Sequence, residues 1–306
     1  MGVAPRPNIQ RIDVHQHLWP GEFVDALRRR TRAPRLVGWT LHLDGEPDFT
    51  VDPVHHDPAV RTAEIRAEGG NLALVSLSGP LGIEWLPPEQ AYPLIDAYHH
   101  GAAALPAPFG VWASACLTEI DLPALRGQLE RGFAGLQLPA TALADPAGYR
   151  RCAPLLDLLA ERDLPLFIHP GAAPPAAHVP SWWPALVPYV QQMHQAWYAF
   201  RAFGRPRHPR LRVCFAMLAG LAPLHGERLT ARGGAPAAVD PAIFLETSSY
   251  GPRAIDATIR ALGIDTIVFG TDRPYAGPVD MRLGAAAEHA IVAANPARLL
   301  AQTFDC

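Results

Sequence analysis

The stretch Ile9-Gln10-Arg11-Ile12-Asp13-Val14-His15-Gln16-His17 decides how the rest of the chain is read. Ile12 and Val14 form a short β-prone run that ends in two histidines one residue apart. In a strand, side chains i and i+2 leave the same face, so His15 and His17 converge. Two neutral imidazoles on one side make half of a metal site. Such a pair also occurs as a half-buried couple with no ion, so further ligands have to come from elsewhere in the chain.

A length of 306 residues fits one large domain or two ordinary ones, and α/β barrels commonly reach it as a single unit. Hydrophobic residues make up 49% and the mean hydropathy is +0.04, enough for a large core. No apolar run approaches the ~20 residues of a spanning helix, so no membrane partner is expected. Residues 1–8 lack the basic and apolar blocks of a signal peptide. Cys116, Cys152, Cys214 and Cys306 show neither zinc spacing nor disulfide density, which points to a reducing, cytoplasmic setting. The net charge of −3 leaves no footprint for nucleic acid. All 26 basic residues are Arg. The absence of Lys excludes Schiff-base chemistry on lysine and a carboxylated lysine bridging two metals.

Residues 18–57 are too long for an ordinary βα loop. They hold a short helix at 23–30, with Trp19, Trp39, His42, His55 and His56, and read as a lid over a strand end. Asp57-Pro58 looks like the cap and first position of a helix that ends at Gly69-Gly70. Residues 72–77, Leu-Ala-Leu-Val-Ser-Leu, form a continuous apolar strand. Strands at 109–116, 133–138, 164–169, 211–217, 243–248 and 266–270 then alternate with helices at 90–105, 122–131, 149–162, 184–203, 221–232 and 253–262. Helices at 282–293 and 296–302 close the chain. Eight strands, each followed by a helix, predict a single-domain (β/α)8 TIM barrel over 1–306, with 18–57 as a lid-like insertion. The competing open doubly wound sheet lacks its Gly-rich phosphate loop.

Reactive groups of such a barrel sit at the carboxyl ends of its strands. His15 and His17 end strand one, His169 in Leu-Phe-Ile-His-Pro-Gly ends strand five, and Asp272 in Val-Phe-Gly-Thr-Asp-Arg-Pro ends strand eight. Three nitrogens and one carboxylate suit Zn²⁺, with Mn²⁺ or another divalent ion also compatible, and leave a position open for water.

These motifs resemble those of the amidohydrolase superfamily, specifically the amidohydrolase-2 group that includes aminocarboxymuconate semialdehyde decarboxylase and related aromatic acid decarboxylases. The resemblance rests on Asp13-Val14-His15-Gln16-His17, Ile168-His169-Pro170, Gly270-Thr271-Asp272-Arg273-Pro274 and Asn295-Pro296-Ala297-Arg298-Leu299-Leu300. It implies that His15, His17, His169 and Asp272 bind one metal ion. There is one departure. Where the group carries His-Gly-Gly-Gly after strand six, this chain has Met217-Leu218-Ala219-Gly220, and a thioether neither accepts nor donates a catalytic proton.

Candidates to take over are His194, on the helix after strand five, and His178 in the loop before it; His225 lies too far along its helix. Trp182, beside Trp183, could wall a pocket for a flat substrate, and Arg273 could meet a substrate carboxylate. Trp19, Trp39 and Met217 are the remaining substrate-binding candidates, with Met217 pointing into the rim and making it more apolar. Cys214 is core.

The expected activity is hydrolysis of a small ester, lactone or amide, with a metal-activated water and Asp272 as the proton carrier. Non-oxidative decarboxylation of a small aromatic or unsaturated acid is the alternative, and a non-catalytic metal- or ligand-binding relative the third reading. The expected partner is a small-molecule substrate, and the reading leaves room for a homo-oligomer.

Overall fold

The computed structural model describes residues 11–235 and 239–301. Eight parallel strands form the barrel: β1 (Arg11–Gln16), β5 (Gly70–Val75), β6 (Phe109–Val111), β7 (Leu136–Pro139), β8 (Leu166–His169), β9 (Val213–Phe215), β10 (Ile243–Glu246) and β11 (Ile267–Val268). Between β1 and β5 the insertion folds as helix α1 (Gly21–Arg28) and a small antiparallel sheet of β2 (Arg35–Val37), β3 (Thr40–His42) and β4 (Phe49–Thr50). The major helices on the outside are α2 (Pro58–Ala67), α3 (Pro88–Ala103), α4 (Leu122–Glu130), α5 (Pro146–Glu161), α6 (Trp183–Leu186), α7 (Pro188–Ala199), α8 (Gly226–Ala231) and α9 (Pro252–Leu262).

Two sheets, β1-β5-β6 and β11-β10-β9-β8-β7, close into one ring. The seams are the bridges Ala113–Leu136 on one side and Gln16–Arg273 on the other. The second seam is reinforced by Val14 N–H donating to Phe269 O at 3.0 Å and Asp272 N–H donating to His15 O at 2.8 Å. Every residue of β7, β8 and β10 is buried, which accounts for their near-continuous apolar sequences. Inside the ring Trp112 stacks on Phe167 at 5.3 Å, and its indole N–H donates to Val14 O. Asp57, Asp121 and Asp145 cap α2, α4 and α5, each accepting from main-chain N–H one or two residues past a Pro of the first turn.

Several sequence expectations change in detail. The expected helix 184–203 breaks between α6 and α7 at Val187, because Pro188 has no N–H to continue it. The two closing helices join: Ala285–His289, a π-turn at Ala290–Ala294 and Asn295–Leu300 follow without interruption. The expected strand 211–217 stops at Phe215, and the expected helix 221–232 begins only after a left-handed turn. Met217, Leu218, Ala219, Gly220 and Leu221 all have φ between 47° and 60°. Gly220 suits this turn doubly, since a Cβ there would fall 2.8 Å from Val190 O. The four non-glycine residues carry roughly 1–2 kcal/mol of strain each.

Among the described residues, one carboxyl is buried without a hydrogen-bond partner. Glu84, in the loop after β5, is 0% exposed, and neither of its oxygens has a hydrogen bond. Its polar neighbours are Ser114 and Gln137, whose Oγ and Oε1 are also unpaired. Burial pushes the carboxyl up to about 7. A folded-state value above the unfolded one means that its contribution is fully present below about pH 4.5 and is lost as pH rises through 7. Glu84→Gln is therefore expected to raise stability at pH 8 by roughly 2–3 kcal/mol relative to its effect at pH 4.5. Denaturant melts of both proteins at the two pH values check this. A difference that does not depend on pH would remove Glu84 as the cause.

Candidate metal centre

β1 delivers His15 and His17 to the carboxyl rim, β8 delivers His169, and the turn after β11 delivers Asp272. One ligand atom from each of the four lies within 4.8 Å of the others. The three imidazoles pack edge to face at centroid separations of 4.8–5.1 Å.

The second nitrogen of each ring shows which way the first one points. His17 Nδ1 is 3.0 Å from Ser76 O and His169 Nδ1 is 2.8 Å from Pro170 O. A carbonyl only accepts, so both Nδ1 atoms carry the proton and both Nε2 lone pairs are free. His15 Nδ1 lies 3.1 Å from Glu246 Oε1 without hydrogen-bond geometry, and the carboxylate charge at that distance favours a proton on the same nitrogen. His15 Nε2 and His17 Nε2 then face one another at 3.2 Å, with Asp272 Oδ1 at 3.4 and 3.1 Å from them. Buried lone pairs held that close are repulsive unless a cation stands among them. The residues therefore fit a divalent ion, and the lack of Lys agrees with a single one.

Charge balance follows the geometry. Burial opposes protonation of His15, but the Glu246 and Asp272 carboxylates outweigh it and hold its pKa above the usual value. Burial, with His15 and His17 adjacent, drives His169 well below. Burial also opposes ionisation of Asp272, and His15, His17 and His169 outweigh it to keep this carboxyl below its usual range. Of the four, Asp272 is the most open, with its side chain 19% exposed.

Glu246 is a member of this cluster that the sequence reading missed. Fully buried at the end of β10, it faces His15 Nδ1 and accepts from Met217 N–H at 2.5 Å, Ser248 N–H at 2.7 Å and Ser248 Oγ–H at 2.5 Å. The available signal was a carboxylate closing the wholly apolar strand Ile-Phe-Leu-Glu at the rim. Asp13, Gln16 and Arg61 stand behind the ligands. Arg61 is fully buried, donates to His17 O at 3.1 Å and bonds Gln16 Oε1.

Several candidates lie elsewhere. Trp19 is 2% exposed, stacks on His56 at 4.8 Å and donates to Ser78 Oγ, and with Trp39 and His56 it lines a cavity of about 400 Å³ that includes none of the four ligands. Trp39 stacks on the other side of this group, with Arg28 over its ring. Trp182 is 55% exposed beside Trp183. His194 packs against Tyr198 and His225, with none of the four ligands among its ring partners; His178 is exposed. The Arg273 guanidinium turns toward α2, where Glu64 and Glu68 engage it. Met217 meets the site through its backbone N–H, while its half-buried side chain packs on the apolar core.

The insertion does cover the carboxyl rim. Its tip presses on the segment after β8, where a Cβ on Gly45 would fall 1.9 Å from Ala173 O, and Glu46 accepts from the Tyr189 hydroxyl of α7. On the opposite side Phe49 packs on Tyr275 at 6.0 Å, and Tyr275 on His17 at 5.5 Å.

No protein-family model matches the chain, and no curated protein is similar to it in sequence. Solved structures are similar in fold. An IDCase from Metarhizium anisopliae is 18% identical with a TM-score of 0.77, over 95% of this chain and 97% of that one. The 5-carboxyvanillate decarboxylase of Sphingomonas paucimobilis is 19% identical at 0.71, over 96% and 100%. Its counterpart from Novosphingobium aromaticivorans, solved with manganese and 4-hydroxy-3-methoxy-5-nitrobenzoic acid, is 16% identical at 0.71, over 95% and 96%. The chain thus shares the (β/α)8 barrel fold of these structures over nearly its whole length.

Purified protein is expected to bind one Mn²⁺ or Zn²⁺ per chain, and His169→Ala to abolish binding. Glu246→Gln should weaken affinity by about 10–100-fold by releasing the His15 ring. Calorimetric titration reads both effects, and an unchanged affinity in Glu246→Gln would remove its orienting role.

Proposed function

We propose that this chain is a metal-dependent, non-oxidative decarboxylase of a small aromatic or unsaturated carboxylic acid. The observation that carries this reading is the convergence of three Nε2 lone pairs and one carboxylate at a covered barrel rim. It is supported by full-length likeness in fold to decarboxylases, one of them solved with manganese. The hydrolytic reading, placed first from the sequence, now stands second, because the likeness in fold runs to carbon–carbon cleavage.

His15, His17, His169 and Asp272 would hold the ion, which when bound supplies positive charge to a substrate carboxylate. Asp272 is the most open of the four and serves as the proton carrier. The bond to the carboxylate breaks, CO2 leaves, and the electron pair left on carbon takes a proton that the Asp272 carboxylate relays from solvent. The insertion excludes bulk water, which strengthens the electrostatics of the step.

The test uses protein loaded with Mn²⁺ or Zn²⁺, with 2,6-dihydroxybenzoate and 5-carboxyvanillate as probes for CO2 release and simple lactones and esters as probes for acid release. CO2 release is expected, and Asp272→Asn should lower it by at least about 100-fold. Acid release without CO2 would make the protein a hydrolase. Silence of metal-loaded protein on every probe would sink both enzymatic readings.

A further inference from the structure

The cavity of about 400 Å³ beside Trp19 lies where three pieces of chain meet: one face of α1, the loop at Trp39, and the turn Pro53–His56 with the start of α2. Its volume is that of a small-molecule site. Val24, Asp25 and Arg28, three or four residues apart, line it from α1. The covered part of its wall is aromatic, with half-buried Trp39 and buried His56. The open part is charged, with Asp25, Arg28 and Asp57 all exposed.

His56 supplies the observation that points to a ligand. It is 6% exposed, and its Nδ1 lies 3.0 Å from the main-chain N–H of Trp19. A main-chain N–H only donates, so Nδ1 accepts and the ring proton sits on Nε2. That second N–H has no acceptor among the described residues. Burial, with Arg61 close by, holds the pKa of the ring down at about 3, so His56 is a neutral donor. A buried donor left unmade costs about 1–3 kcal/mol, which an acceptor brought by a ligand would recover.

The charges around the opening select what that ligand carries. Arg28 lies over the Trp39 ring at 4.9 Å, with Asp25 Oδ1 at 3.6 Å and Gly38 O at 3.4 and 3.5 Å. Contacts that long leave most of its five donors uncommitted. Asp57 uses Oδ1 to cap α2, accepting from Ala59 N–H and Val60 N–H, and keeps Oδ2 for another donor. A plain anion would meet two carboxylates here, and a plain cation would meet a guanidinium and an N–H. A molecule with both charges on one carbon meets each with its opposite. We infer that this cavity is a second ligand site, apart from the metal centre, for a free α-amino acid with an aromatic side chain. Its carboxylate takes Arg28 and the His56 N–H, its ammonium takes Asp25 and Asp57, and its ring lies against Trp39. The inference stands independently of the decarboxylase reading.

The probe is L-phenylalanine, titrated calorimetrically into the full chain. One molecule is expected to bind per chain, with similar affinity in metal-free and Mn²⁺-loaded protein. Two analogues each delete one charge without touching the fold: phenylpropionate lacks the ammonium and phenethylamine lacks the carboxylate. Each should bind at least about tenfold more weakly than phenylalanine, the usual effect of losing a hydrogen bond to a charged group. Arg28→Ala, at an exposed position, should weaken phenylalanine by about the same factor and leave phenethylamine unchanged. Phenylalanine bound no more tightly than either analogue, or equally well in Arg28→Ala, would overturn the assignment. So would binding that appears only with Mn²⁺ loaded, which would move the ligand to the metal centre, and so would the lack of any binding at millimolar phenylalanine. Each of these results leaves the decarboxylase reading intact.

Discussion

A single buried carboxylate, that of Asp13, ties the beginning of this chain to its end. Oδ1 accepts from His15 N–H and Thr271 N–H, both at 3.1 Å, while Oδ2 accepts from Gln16 Nε2 at 2.7 Å and Thr271 Oγ1 at 2.6 Å. Thr271, in the turn after β11, is 258 residues away from Asp13. These four bonds fix the seam where β1 meets the turn after β11, and that seam is where three of the four metal ligands stand. Burial raises the pKa of Asp13, and its hydrogen bonds act against this. The arrangement shows why the barrel must close before a metal site exists: His15 and Asp272 belong to segments that only this seam brings together.

The first two histidines were legible because strand periodicity leaves little freedom: a period of two puts positions 15 and 17 on one face. His169 and Asp272 were legible because each closes an apolar run that can only be a buried strand. What the sequence could not show was the direction of side chains in turns. Arg273 follows Asp272 directly, yet it points away from the centre to acids on α2 that lie more than two hundred residues earlier in the chain. His194 has a suitable chemistry and a plausible helix, but rotation about that helix sets its ring against His225. The insertion was recognised by its length, whereas its small sheet and the position of Glu46 depend on tertiary contacts with Tyr189 and Ala173.

The departure at strand six has a physical counterpart. With Leu218, Ala219 and Leu221 in a left-handed turn usually reserved for glycine, the backbone at Met217 aims its N–H at Glu246. That donor, with two from Ser248, surrounds a carboxylate that in turn favours a proton on His15 Nδ1. Strand six thus serves the ligands through its main chain while giving up a reactive side chain of its own. The unusual torsions persist because the buried network around Glu246 over-determines them.

The tip of the insertion is bonded to α7 through Glu46 and Tyr189 and pressed against the segment after β8, so one short stretch of chain fastens two neighbouring parts of the rim at once. A side chain at Gly45 would be felt first in the segment that follows His169, because the added Cβ would meet Ala173 O and not open space. The insertion and the ligand-bearing rim are in this sense one mechanical piece, and a change in either is transmitted to the other through main-chain atoms that have no room to yield.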